Sequence, residues 1–401
     1  MKHHSKNNIT KLFLNIVVIG FLFSISSCCP KPIPDPEIDR SLLIYLAADN
    51  DLSRESFMNI EAMKQGFIPR NGNIIVYHDP VNATPRLFRL VQKGTIVEEE
   101  LIEQYPEENS ADPATLTRCL ERMRDLFPAK EYALILWSHA NGWFPNGTGT
   151  IGDGLLPKMD YALPDTIEYP KVKTFGVDGT RRMELEELVT ALPYHLSFIL
   201  FDACSMGSAE VAYTLRDKAD YLIASPAEVL GDGFPYHQIM QPIFLPKSDL
   251  EEVCNLFFRF YNEHSDERYR SATVALYHLK QMQELTNSLR SIFALHRAEL
   301  NVFLPNSVQR YGNSLLYSDL DDFVNQLASP AEYELFKKSL DKVVSYKRAT
   351  KSILSLIYFR GYFPIERYGG ISCYIPSIGS QTVTNEAFRK SEWNRAVGLM
   401  E

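Results

Sequence analysis

A histidine and a cysteine, each closing a run of apolar residues, are the side chains in this sequence best placed to do chemistry. The runs are Tyr132-Ala-Leu-Ile-Leu-Trp-Ser-His139 and Leu196-Ser-Phe-Ile-Leu-Phe-Asp-Ala-Cys204. Each reads as a buried strand by its length and apolar content. In an open α/β sheet, ligand chemistry gathers in the crevice at the carboxyl ends of parallel strands, so His139 and Cys204 are expected to meet there. A thiolate can attack a carbonyl carbon, and an imidazole beside it can take the thiol proton and protonate the leaving amine. Taken singly, a strand-end cysteine is more often a small core residue, and a strand-end histidine more often satisfies backbone groups. Their placement after consecutive strands is what favours a Cys/His pair.

The neighbouring residues refine this reading. Asp202 shares a strand face with Cys204, because alternate residues of an extended chain point the same way. Its carboxylate could pair with a guanidinium or ammonium group, or could instead cap the helix that follows. That helix is predicted over residues 205–218, where Met206, Ala209, Ala212 and Leu215 recur at burial spacing, and its N-terminus would favour a thiolate at Cys204. Backbone N–H groups near Cys204 and at Gly142 are candidate oxyanion donors, since glycine lets a substrate approach closely. His78, at a strand end beside Asp79, is a rival base, whereas His237 and His278 have no evident partner. Asp319, Asp321 and Asp322 with Asn325 could contact a cation but read better as the charged start of a helix. The sequence holds no His-Glu-x-x-His, no Gly-x-Ser-x-Gly and no phosphate-loop motif.

The elements that must position these residues alternate between strand and helix. Residues 41–48 form a short apolar run ended by Asp49-Asn50-Asp51, and 73–79 form another; between them Leu52, Ile60, Met63 and Phe67 are spaced for a helix. Residues 87–91 and 95–97 flank Gln92-Lys93-Gly94 as a β-hairpin. Asp112 as N-cap and Pro113 at the first helical position announce a helix with Leu116, Cys119, Leu120, Met123 and Phe127 on one face. After Cys204, a strand is expected at 221–225, and beyond residue 246 the character turns helical, with strand-like runs at 272–279 and 371–375. The alternation predicts a doubly wound, mostly parallel sheet.

Bulk properties narrow the function classes. The 401 residues include 41 basic and 50 acidic side chains, a formal charge of −9, which argues against a nucleic-acid partner. The six cysteines show no metal-ligand spacing. At the N-terminus, Lys2, His3, His4, Lys6 and Lys11 precede an apolar stretch over 12–23, short for a membrane-spanning helix, which makes an uncleaved anchor the lesser reading, and suited to a signal-peptide core. Ile25-Ser-Ser-Cys28 then resembles a bacterial lipobox, which implies cleavage before Cys28 and lipid attachment to its thiol. The alternating prolines of 29–37 make a semi-rigid spacer. The expected organisation is a lipoprotein signal peptide at 1–27, a tether at 28–40, a catalytic domain at 41–245 and a C-terminal region at 246–401 whose strands complete the sheet. The expected location is the cell envelope, with a lipid anchor in the membrane.

Several motifs together resemble the clostripain family of cysteine peptidases. They are Trp137-Ser-His-Ala-Asn-Gly-Trp143, Phe175-Gly-Val-Asp178, Phe201-Asp-Ala-Cys-Ser-Met206, Ala224-Ser-Pro-Ala-Glu228, Gly231-Asp-Gly-Phe-Pro-Tyr236 and the later Tyr368-Gly-Gly-Ile-Ser-Cys-Tyr-Ile-Pro376. The resemblance implies a caspase-like αβα sandwich and endopeptidase activity after arginine or lysine. It makes His139 the catalytic histidine, Cys204 the nucleophile and Asp202 the acidic residue of a basic-specificity pocket. Some members cut themselves between histidine and cysteine, where this chain offers Lys158, Lys171, Lys173, Arg181 and Arg182. Many caspase-like enzymes carry glycine directly after the histidine; here Ala140 stands there, with Gly142 two residues further on. Calcium activates part of the family, but no calcium loop is evident and no cofactor is expected. Ala140, and the lack of a third catalytic residue visible from sequence, leave one alternative open: a caspase-like surface lipoprotein that binds peptide or glycan without cutting it.

Overall fold

The computed structural model describes residues 37–68, 71–145, 170, 181–245, 247–312, 316–356, 361–376 and 382–400. The signal segment with Cys28, most of the tether, Phe175-Gly-Val-Asp178, and Lys158, Lys171 and Lys173 lie outside the described residues. The described residues form one compact unit.

Its centre is a nine-stranded sheet built from β1 (Arg40–Ala48), β2 (Gly72–Pro80), β3 (Arg86–Lys93), β4 (Ile96–Gln104), β5 (Glu131–Trp137), β6 (Leu196–Asp202), β7 (Ala219–Ala224), β8 (Thr273–His278) and β10 (Val344–Ala349). The spatial order is β10-β8-β7-β6-β5-β1-β2-β3-β4. The central strands β2, β1, β5, β6 and β7 pair in parallel, and antiparallel strands finish both edges. Near-continuous apolar runs occupy the central strands because helices cover both faces. On one face Leu43, Tyr45, Ile199 and Phe201 pack with Leu116, Cys119, Leu120 and Met123 of the helix Pro113–Leu126. On the other, Leu42, Ile44, Phe198 and Leu200 pack with Ile60 and Met63 of the helix Ser53–Gln65 and with Ile239 and Met240 of the helix Tyr236–Ile243. This is the expected αβα sandwich.

Local signals translate directly into structure. The Asp112 side chain accepts from the Ala114 N–H at 2.9 Å, the predicted N-cap. Gly94 turns between β3 and β4 with φ 65°, and β4 extends to Gln104, further than its alternation indicates.

Two expectations are corrected. The helix after Cys204 begins at Ala209, not Ser205, and is short, Ala209–Thr214, with the Ser208 hydroxyl accepting from the Val211 N–H. Ser205 sits at φ 58°, outside helical geometry, because its N–H and that of Gly207 are engaged by the carbonyls of Ala227 and Ser225. Cys204 therefore has no adjacent helix N-terminus, and Ser208 rather than Asp202 is the cap. The run at 371–375 supplies only β13 (Ser372–Cys373), which pairs with β9 (Ser318–Asp319) as a separate two-stranded ladder. The main sheet receives β8 and β10 from the C-terminal region instead. A second small ladder joins β11 (Ser352–Ser355) to β12 (Gly361–Pro364).

Candidate active site

The chain runs from β1 outward to β2 on one side of the sheet centre and from β5 to β6 on the other, so the strand order reverses between β1 and β5. Reversal of this kind opens a crevice beyond the carboxyl ends of the strands. His139 lies two residues past β5 and Cys204 two past β6. The last registered pair of these parallel neighbours is Trp137 with Asp202, so both residues leave the sheet at the same level, on strands about 4.8 Å apart.

His139 is held from the β1 side. Its side chain is 2% exposed and its Nε2 lies 2.8 Å from Oδ1 of Asp51, whose side chain is 77% exposed. The Ser138 hydroxyl donates to the Ala47 carbonyl at 2.9 Å, tying the same two strand ends. A carboxylate on one ring nitrogen fixes the orientation of an imidazole and stabilises its protonated form. Asp51 is thus a third polar member of the site that sequence reasoning passed over. Its only signal was the Asp49-Asn50-Asp51 cluster closing β1, and β1 becomes relevant only once it is known to lie beside β5.

Cys204 is fully buried. The Val229 N–H points at its sulfur, 3.1 Å away, and the thiol donates to the Val229 carbonyl at 3.7 Å. Gly142 joins the two loops: it adopts φ 74°, and a Cβ there would lie 2.9 Å from the Ser205 carbonyl oxygen. Backbone meets backbone at that point, which glycine alone permits without strain. The Tyr317 hydroxyl braces this loop by donating to the Asn141 carbonyl at 2.9 Å. Ala140 is half-buried and packs against the apolar core.

Asp202 is also fully buried. Its Oδ2 accepts from the Phe234 N–H at 3.1 Å and from the Tyr236 hydroxyl at 3.0 Å. Burial, and then the Asp202 carboxylate, push the Tyr236 phenol well above its ordinary range, so it remains a hydrogen donor. A cleft of about 140 Å³ opens beside His139, with Tyr45, Gly142, Arg182, Phe201 and Met206 in its walls. Cys204 packs in the opposite layer with Phe198 and Leu200, and the partners of Asp202 belong to that layer too. Of the five candidate self-cleavage residues, Arg182 lines the His139 cleft, while Arg181 pairs with Asp112 at 3.1 Å.

Other candidates resolve into structural roles. His78 on β2 is separated from β5 by β1; its Nε2 lies 2.8 Å from the Ser56 hydroxyl. Burial pushes His78 down to about 3, so it stays neutral and is no rival base for Cys204. His278 stacks on Tyr221, and His237 meets Gln238. Asp319 caps the helix Leu320–Leu327 by accepting from the Asp322 N–H, Asp321 pairs with Lys337, and Asp322 pairs with Arg367. Cys119, Cys204, Cys254 and Cys373 are buried, and burial raises the thiols of Cys119, Cys254 and Cys373, which suppresses their thiolates.

Comparison with known proteins fits this geometry. The profile of the clostripain family, Peptidase_C11, matches residues 44–362. Clostripain from Hathewaya histolytica is 27% identical over 233 residues, which is 51% of this chain and 42% of that protein, so the match spans under half of the relative's length. An inactive zymogen C11 protease from Parabacteroides distasonis superposes with a TM-score of 0.77 at 31% identity, covering 91% of this chain and 99% of the other. A secreted C11 cysteine protease from Bacteroides thetaiotaomicron, solved with an irreversible peptide inhibitor, shares the fold with a TM-score of 0.75 at 24% identity, covering 90% and 98%. With the family profile matched over most of its length and its histidine and cysteine at neighbouring strand ends, the chain belongs to the clostripain family of cysteine peptidases.

Proposed function

We propose that this chain is a cysteine endopeptidase that hydrolyses peptide bonds after arginine or lysine, with Cys204 as nucleophile and His139 as its proton partner. The observation that carries this reading is the union of two adjacent strand ends. His139 and Cys204 leave β5 and β6 at the same level, and their loops touch where Gly142 meets Ser205. In this reading the Cys204 thiolate bonds to the scissile carbonyl carbon, His139 gives its proton to the leaving amine, and water then releases the acyl group. Asp51 on Nε2 orients the ring for that transfer. The N–H of Gly142 and those near Cys204 are the proposed donors to the oxyanion.

Asp202 is proposed to select the cationic side chain. A substrate guanidinium or ammonium would share its carboxylate with Phe234 and Tyr236, a charge-assisted pairing that gains strength in a dry site. Because Asp202 and Cys204 are both closed to solvent, the uncut chain is read as a latent form in which residues 230–236, beyond the Val229 donor, must move before a peptide can enter. A cut between His139 and Cys204 is a route to that movement, and the similar Parabacteroides distasonis protein is itself described as an inactive zymogen. The chemistry is complete with a thiol, an imidazole and backbone donors, so activity is expected to survive chelation of calcium. Cys28 is proposed as the lipid attachment point that tethers the enzyme to the cell envelope.

The test is hydrolysis of an arginine-containing peptide amide by the purified chain. Cys204→Ala should lower turnover by at least about 10,000-fold, and activity that survives it would sink the mechanism. Asp202→Ala should erase the preference for arginine and lysine, and an unchanged preference would assign recognition to another residue.

A further inference from the structure

Glu228 is a nearly buried carboxylate, 5% exposed, on the loop that follows β7. Burying a carboxylate is costly unless hydrogen bonds replace its hydration. Here they come from far along the chain: Oε1 accepts from the Ser355 hydroxyl, 127 residues away, and Oε2 accepts from the Leu356 N–H at 3.0 Å. Ser355 closes β11, which is itself pinned where the Leu354 N–H donates to the Ser271 hydroxyl at 2.8 Å. The residue after Glu228 is Val229, whose N–H and carbonyl both engage the Cys204 sulfur. On the near side, the Ser225 hydroxyl donates to the Ala227 carbonyl at 2.9 Å, and the same carbonyl receives the Ser205 N–H at 2.9 Å.

We propose that Glu228 is a positioning residue for the nucleophile, anchoring its loop to β11 so that the Val229 N–H stays aimed at the Cys204 sulfur. An N–H donated to sulfur favours the thiolate over the thiol, and the preference lasts only while the donor is held in place. In a chain whose cysteine has no helix N-terminus beside it, this backbone donor takes over the role that a helix dipole would otherwise fill. The inference rests on the reading of Cys204 as nucleophile and adds to it a task for the C-terminal region.

The experiment is the pH dependence of Cys204 alkylation by iodoacetamide on the full chain, followed by peptide mapping, alongside kcat and KM on the peptide amide. Glu228→Ala loses both the anchor and a nearby negative charge. Loss of the charge alone would lower the alkylation midpoint. Loss of the anchor is expected to raise it by about one pH unit, leaving roughly tenfold less thiolate at neutral pH, with kcat reduced and KM held within about twofold. Glu228→Gln keeps one acceptor for the Leu356 N–H and can donate its amide N–H to the Ser355 hydroxyl, so it should not raise the midpoint, while Ser355→Ala should raise it by less than Glu228→Ala does. A midpoint that falls or stays fixed in Glu228→Ala overturns the proposal, even if thermal stability drops. If that variant does not fold, an unmoved midpoint in Ser355→Ala overturns it. Alkylation of Cys204 is read without turnover, so failure here is separate from failure of the nucleophile assignment, which Cys204→Ala tests.

Discussion

The two halves of the site are held in opposite ways. His139 is held by an exposed carboxylate on a neighbouring loop, and its own loop is tied by Ser138 and by the Tyr317 hydroxyl. Cys204 is fixed from the interior: Ser205 and Gly207 donate to Ala227 and Ser225, the Ser372 N–H donates to the Gly207 carbonyl at 2.9 Å, and the Tyr277 hydroxyl bridges the carbonyls of Gly207 and Gly370. The Asp51 carboxylate can therefore adjust at small cost, because it is solvated in either arrangement. The cysteine side cannot move without breaking buried bonds, so its geometry is coupled to the stability of the C-terminal region.

The sharpest way to break this contrast is at Gly207. A Cβ there would lie 2.6 Å from both the Pro226 backbone nitrogen and the Tyr277 hydroxyl, contacts that backbone cannot yield cheaply. Gly207→Ala is expected to destabilise the chain by roughly 2–3 kcal/mol, read as a lower midpoint in urea. Near-wild-type stability would show that the cysteine side is looser than its bonds imply.

The next effect concerns pH on the same side. Glu210, in the first turn of the helix Ala209–Thr214, accepts from the Tyr374 N–H at 2.8 Å. Burial pushes its carboxyl up to about 7, partly offset by that backbone bond. Since the folded chain holds this proton more tightly than the unfolded one, the stabilisation is fully present below the ordinary carboxyl range near 4.5 and is lost as pH rises through about 7. Asp319, raised to about 6 by burial, acts with the same sign. His78, held down to about 3, acts with the opposite sign below its ordinary value of 6.5, so denaturation midpoints should fall between about pH 6.5 and 8, and Glu210→Gln should flatten that fall. An equal slope in the variant would remove Glu210 from the account.

The smallest stability effect is expected on the histidine side. Asp51→Asn should change unfolding free energy by under about 1 kcal/mol, because the carboxylate it replaces is solvated, yet lower kcat several-fold as the ring loses its orienting charge. A large loss of stability with kcat unchanged would invert the contrast.

What could be read from the chain alone follows from how locally each feature is determined. The Asp112 cap, the turn at Gly94 and the apolar runs of β1, β5 and β6 depend on near neighbours and periodicity, so each was visible. The expected helix at Ser205 failed because a long-range pairing with Ala227 overrides the burial spacing that predicted it. Asp51 and Glu228 were invisible as site residues because their partners lie 88 and 127 residues away.

The sequence by itself determined the central strands, the residue types at their ends and the family resemblance, since hydrophobic periodicity and turn chemistry are local properties; the edge strand Val344–Ala349 was not legible in it. Tertiary structure decided which strand ends are neighbours, and with them the Asp51 partner of His139, the backbone contact of Gly142 with Ser205, and the burial of Cys204 against Val229. These depend on strand order and register, which arise when the sheet assembles around a shared core rather than from any one segment.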